Sequence, residues 1–234
     1  MNSSIYLEDE NVLNVYQFGS FLYGSTDEFS DEDFIVILKS HVTSNDVNIH
    51  HITEDEFIRL IDNHDIQALE CIFSPTKYRL KETINFEKYF KLNLSKLRVS
   101  ISTLTSNSYQ KGKKKITILG DYDERIGIKS IFHSIRILHF GIQIASNGSI
   151  ENWGEYNYVL YDCKKMSTSY HFVDLWEKID TKYRKLFNSL STDFKKLAPK
   201  PVEQSLDSKL TKILKDHNAY TDDLFYDLFN LLNK

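Results

Sequence analysis

The chain has 234 residues, 41% hydrophobic and 26% charged, the balance of a globular protein built as one large domain or two small ones. A formal net charge of −4 excludes bulk electrostatic attraction to nucleic acid or anionic membrane, so any nucleic-acid contact would need a local basic patch. Cys71 and Cys163 stand in unrelated contexts without metal-type spacing, residues 1–10 are polar and acidic, and no apolar run reaches membrane-spanning length. These features predict a cytoplasmic protein with no disulfide framework, zinc framework or membrane partner.

In chain order, an apolar run over residues 12–18 predicts a strand that stops at Gly19-Ser20. A connecting loop or short helix follows, and Ser30-Asp31-Glu32-Asp33 opens a second apolar run, residues 34–38, suited to a buried strand. Residues 47–52 alternate and predict a third strand. Thr53 to Glu56 has the form of a capping box, so a helix begins there, with Phe57, Leu60 and Ile61 at helical spacing. Asp65 caps a further helix over residues 66–73, which Pro75 closes.

After Pro75 the pattern becomes helical. Helices are expected at about residues 85–108, 124–146 and 170–197, with two shorter ones after Val202. Asn147-Gly148 supplies the stop for the second of these. Lys111, Lys113, Lys114 and Lys115 form the dense basic cluster, read as a solvated helix end or loop. Trp153 and Tyr156, beside Gly148 and Gly154, are the aromatics placed to stack on a base, whereas Phe172, Leu175, Trp176, Tyr183, Leu186 and Phe187 read as core seams.

The chemistry concentrates in the first third. Residues two apart on a strand face the same way, so Asp31 and Asp33 present two carboxylates to one point. Two adjacent carboxylates repel unless a cation lies between them. Gly19 allows close backbone approach, and Ser20 with neighbouring N–H groups can donate to phosphate oxygens. The residues thus predict a metal site beside a phosphate-holding turn. In the run from Asp46 to His51, alternation puts Asp46, Asn48 and His50 on one face, and Asp46 is the carboxylate among them. Its setting after Ser44-Asn45 equally suits a turn residue.

Strand, Gly19-Ser20 turn, connector, Asp31-x-Asp33 and strand, in that order, resemble the DNA polymerase beta-like nucleotidyltransferase superfamily. The resemblance implies an α+β fold: a nucleotidyltransferase core of mixed sheet and helices at residues 1–82, then a helical C-terminal domain at residues 83–234. It implies Mg²⁺ or Mn²⁺ held by Asp31, Asp33 and a third carboxylate, for which Asp46 is the candidate, and an NTP co-substrate gripped by Gly19 and Ser20. A more specific resemblance covers about residues 12–150. Asp65-Ile66 stands where an Asn-Pro is usual, Leu69-Glu70 matches, and Lys129, His133 and Arg136 match a Lys-x-x-x-His-x-x-Arg pattern. Together these are similar to the RNA-repair-associated branch of that superfamily, with relatives in bacteria and large phages.

Lys129, His133 and Arg136 lie at i, i+4 and i+7 and so share one helix face. The resemblance assigns this trio to nucleotide binding. The expected activity is metal-dependent transfer of a nucleoside monophosphate from an NTP to an acceptor hydroxyl, with an RNA end, a protein or a small molecule as acceptor. A nucleotide-binding module without catalysis is the rival reading.

Overall fold

Three of the predicted runs pair into one sheet. The computed structural model describes residues 4–28, 30–40 and 48–200. Asp46 and the helices expected after Val202 lie outside the described residues. Strands β1 (Val12–Phe18), β2 (Asp33–Leu38), β3 (Ile49–Thr53) and β4 (Arg79–Glu82) lie in the order β3-β2-β1-β4. β1 runs antiparallel to β2 and β4, whereas β2 and β3 are parallel. β4 escaped sequence reading because its alternating charged residues fit an edge strand that buries little.

The central strands bury both faces, which is why they read as continuous apolar runs. Leu13, Tyr16, Phe18, Ile35 and Ile37 join the main core, while Val12, Val15, Phe34, Val36, Leu38 and Ile49 form a second layer behind the sheet. A bulge between Val12 and Asn14 turns Asn14 inward. Fully buried, it accepts from the N–H groups of Thr83 and Ile84 and donates to Ile84 O and the Tyr16 hydroxyl. A polar side chain is tolerated there because every one of those bonds is made.

The helices follow their caps. α1 (Ser4–Glu8) precedes β1, and α2 (Ser20–Tyr23) is a single turn. α3 (Glu54–Asp62) starts at Thr53, whose hydroxyl accepts from Glu56 N–H, and α4 (Ile66–Phe73) starts at Asp65, which accepts from Gln67 and Ala68. α5 runs over Leu94–Thr117 rather than the expected 85–108. Asn85 caps only a 3₁₀ turn at Phe86–Tyr89, and Asn93 supplies the true cap through Ser95 and Lys96. The lysine cluster therefore occupies the end of α5, where positive charge complements the helix dipole. α6 (Glu124–Asn147) and α8 (Phe172–Leu197) match their predicted spans, and Gly148 ends α6 in the left-handed conformation. α7 (Asn157–Ser167) was not foreseen: its N-cap, Tyr156, makes no side-chain capping bond, so no start signal exists in the sequence.

The described residues up to Ala198 belong to one compact unit. Within it the α+β arrangement is as expected, and no described helix is long and apolar enough to cross a membrane. α5 and α6 approach closely through facing glycines. A Cβ on Gly112 would lie 2.5 Å from Ile131 Cδ1 and 3.0 Å from Gly127 O, and one on Gly127 2.6 Å from Ile116 Cγ1. Because backbone lies across the gap, Gly112→Val is expected to lower stability by about 1–3 kcal/mol through overpacking. Urea denaturation checks this; an unchanged midpoint would show that the helix pair can spread freely.

Candidate active site

The site begins where β1 ends. Phe18 pairs with Asp33 across the sheet, and the chain then turns at Gly19 with φ +71°. A Cβ on Gly19 would lie 2.6 Å from Asp33 Oδ2. Glycine is therefore required twice, for its backbone conformation and for the carboxylate packed over it. α2 closes at Gly24, φ +66°, and Ser25 N–H returns to Ser20 O at 2.9 Å. α7 clamps this loop. Asn157 Nδ2 donates to Tyr23 O at 2.8 Å and Gly24 O at 3.1 Å, Tyr161 donates to Gly24 O at 3.3 Å, and Lys164 pairs with Asp27. Those three side chains sit at i, i+4 and i+7, one face of the helix.

Asp33 is partly buried and Asp31 exposed. Burial raises the Asp33 carboxyl above its ordinary range, the Asp31 charge pushes it the same way, and His50 and Lys129 oppose both. Asp31 and Lys129 are thus both within electrostatic reach of Asp33. In the β2–β3 register Phe34 pairs with Ile49 and Ile35 with His50, which puts Asn48 and His50 on the Asp33 face. Two neighbouring carboxylates supply hard oxygen donors that suit Mg²⁺ or Mn²⁺. Among the described residues no group of three or more His, Cys, Asp or Glu side chains encloses a cation position. The fit is that of an open pair.

A cleft of about 250 Å³ gathers Ser20, Asp31 and Asp33 with Lys129, His133 and Arg136 of α6. The structure therefore brings together seven of the eight sequence-nominated positions, with Gly19 beneath Asp33, and Asp46 outside the described residues. Tyr23, Ser25, Ser30, Arg125, Phe132 and Leu160 also line it. Arg125 had a legible signal, one turn before Lys129 on the same face. Trp153 and Tyr156 do not line the cleft; Trp153 packs edge-on to Phe140 and Tyr156 edge-on to His139, so the stacking expectation is not met.

The cationic trio divides by burial. Lys129 is partly exposed and its ammonium is lowered, mainly by desolvation. Arg136 is 2% exposed. Its Nη1 lies 3.1 Å from Glu70 Oε1, close enough for charge pairing although neither atom gains an aligned hydrogen bond. Its guanidinium carbon lies 3.2 Å from the centroid of the Tyr23 ring, and Tyr23 donates its hydroxyl to Glu70 Oε2 at 2.6 Å. Arg136 Nη2 donates to His133 Nδ1 at 2.7 Å. Burial, then the charges of Arg136 and Lys111, take the His133 imidazole down to about 3. This environment disfavours the charged form of His133. Glu70 was a missed partner whose signal was a carboxylate inside the apolar helix 66–73.

A family profile described as nucleotidyltransferase domain matches residues 4–121, half of the chain. The chain belongs to the nucleotidyltransferase domain family. Among curated proteins no relative matches it. Of solved structures, a spectinomycin adenyltransferase from Enterococcus faecialis, crystallised with ATP and spectinomycin, is similar at 13% identity and a TM-score of 0.38, over 82% of this chain and 94% of the other. A nucleotidyltransferase-like protein from Exiguobacterium sibiricum is similar at 14% identity and a TM-score of 0.35, over 84% and 75%. Similarity at this level bears on neither acceptor nor mechanism.

In this nucleotidyltransferase domain protein, Arg136→Met would leave the Glu70 charge buried without its partner. The expected loss is about 3–5 kcal/mol, with part recovered in the Arg136→Met/Glu70→Gln double variant. Equal urea midpoints for the single and double variants would show that the two groups are not energetically coupled. A second expectation concerns acid. His133 and His64 are both held below the ordinary 6.5, chiefly by burial. Below that value the unfolded chain binds protons that the folded chain refuses. Their contribution to stability is complete above it and falls as the pH drops toward about 3 for His133. Unfolding free energy measured between about pH 7 and about pH 5 should fall, with a slope from His133 approaching 1.4 kcal/mol per pH unit and a further contribution of the same sign from His64. A flat profile would contradict the buried neutral state.

Proposed function

We propose that the protein transfers a nucleoside monophosphate from an NTP to an acceptor hydroxyl, releasing pyrophosphate. The observation that supports this most directly is Asp33 packed over Gly19, with Asp31 beside it and Lys129 across the cleft. In this reading Gly19 and Ser20 bring backbone N–H groups and a hydroxyl to the triphosphate. Lys129 and Arg125 offset its negative charge. Asp31 and Asp33, with Asp46 as the proposed third carboxylate, would hold the divalent cation. When bound, that cation supplies Lewis-acid stabilisation of phosphoryl charge.

The acceptor oxygen forms a bond to the α-phosphorus as the bond to the pyrophosphate oxygen breaks, and the acceptor proton passes to a base, the role assigned here to Asp46. An RNA end is the acceptor favoured by the similarity of residues 65–70 and 129–136 to the RNA-repair-associated branch.

A second reading, NTP binding without transfer, draws on Asn48 and His50 standing on the β3 face beside Asp33. The two are separated by incubating the full chain with each labelled NTP, Mg²⁺, and either an RNA or a protein fraction. Label should enter RNA, and Asp31→Asn or Asp33→Asn should reduce the rate at least about a hundredfold. NTP binding with no transfer to any fraction would favour the second reading. Absence of NTP binding would defeat both.

A further inference from the structure

The cleft changes character along α6. Arg125, Lys129 and His133 occur at i, i+4 and i+8 on one stripe and all three line it. Lys129 is the helix cation that the Asp33 carboxylate senses, which marks the charged end. His133 lies one turn further on, about 6 Å along the axis. The cleft lining also includes the buried Tyr23, Phe132 and Leu160, with the Arg136 guanidinium against the Tyr23 ring and 2.7 Å from His133. A triphosphate requires the first environment and a flat aromatic base suits the second.

The hydrogen bond from Arg136 fixes what His133 can do. A guanidinium only donates, so Nδ1 of His133 must be the acceptor of the 2.7 Å contact. The ring proton then resides on Nε2. Arg136 is itself held by Glu70 and by the Tyr23 ring, so the imidazole is fixed in one tautomer by a group that only donates. The charged groups facing the ring are Arg136 on its own helix and Lys111 on α5, both positive, and both favour the neutral form. The outcome is an uncharged N–H donor beside the buried Arg136, one helical turn from Lys129.

We propose that His133 is a specificity residue that reads the nucleobase, donating Nε2–H to an acceptor atom on its edge, with Arg136 as the positioning residue that fixes the tautomer. The assignment rests on the nucleotidyl-transfer reading and adds to it the part of the substrate that α6 recognises. It removes His133 from the phosphate contacts, which fall to Lys129 and Arg125.

The test uses the full chain, Mg²⁺, the four NTPs as non-hydrolysable α,β-methylene analogues, and ribose 5-triphosphate, which has no base. Calorimetry should show His133→Leu weakening at least one base-bearing analogue about five- to tenfold, the worth of one neutral hydrogen bond. Ribose 5-triphosphate should bind wild type and His133→Leu alike. His133→Gln, which can present an amide N–H near the Nε2 position, should restore most of the difference. In ¹⁵N-histidine spectra, His133 should carry its proton on Nε2, and that resonance should move with the analogue but not with ribose 5-triphosphate. A proton on Nδ1 would overturn the proposal. So would equal weakening of both ligand types, no weakening of either, or an effect confined to the acceptor's KM. If wild type binds no nucleotide at all, the transfer reading fails as well; if it binds and transfers while the His133 outcomes fail, only the base assignment is lost.

Discussion

A guanidinium buried between a carboxylate and a tyrosine ring organises the cleft. Arg136 belongs to α6, Glu70 to α4 and Tyr23 to α2, so a single charged group ties together three elements far apart in sequence. Burying one charge is costly, and the cost is offset only if partners are held at the right distance. The network therefore acts as a registration device. If α6 slid or turned against the sheet, Glu70 and Arg136 would both be stranded in the core. Wherever that register holds, Lys129 falls within electrostatic reach of Asp33 and His133 falls 2.7 Å from Arg136. The clamp from α7 onto the Gly24 loop constrains the same corner from the other side.

The same network accounts for the polarity of the site. A histidine on a helix face with a lysine and an arginine reads as a third cation. Placed 2.7 Å from a guanidinium and largely desolvated, it becomes a neutral donor. Burial disfavours its charged form first, and the neighbouring positive charges of Arg136 and Lys111 add to that. At the other end of the cleft, Asp31 and Asp33 raise the local need for positive charge, which Lys129 meets in part. The cleft thus passes from the carboxylates and Lys129 to the neutral His133 beside the buried Arg136 and Tyr23 within about one helical turn.

Much of this was legible locally. Gly19-Ser20 and Asp31-x-Asp33 were found because strand period and turn chemistry are short-range signals, and the structure joins them through the Phe18–Asp33 pair. The caps at Thr53 and Asp65 read correctly for the same reason. α5 was misplaced because Asn85 and Asn93 are both competent caps, and only packing selects between them. α7 has no side-chain cap to read. Trp153 and Tyr156 looked like exposed loop aromatics, yet they pack on Phe140 and His139, neighbours set by the return of the chain along α6.

Sequence alone pointed to the α+β class, as the resemblance of its motifs implies, and it determined the helix face carrying Lys129, His133 and Arg136, which follows from spacing within one helix. Tertiary structure decided which members of that face meet solvent. Burial and partner charge are properties of the space between elements. No periodicity in residues 129–136 records that Glu70 and Tyr23 will enclose Arg136, or that Arg136 will in turn hold the proton of His133 on Nε2. Asp33 over Gly19 lies between these cases: each residue was named by its own motif, and the 2.6 Å approach that makes glycine obligatory exists only once β1 and β2 are paired.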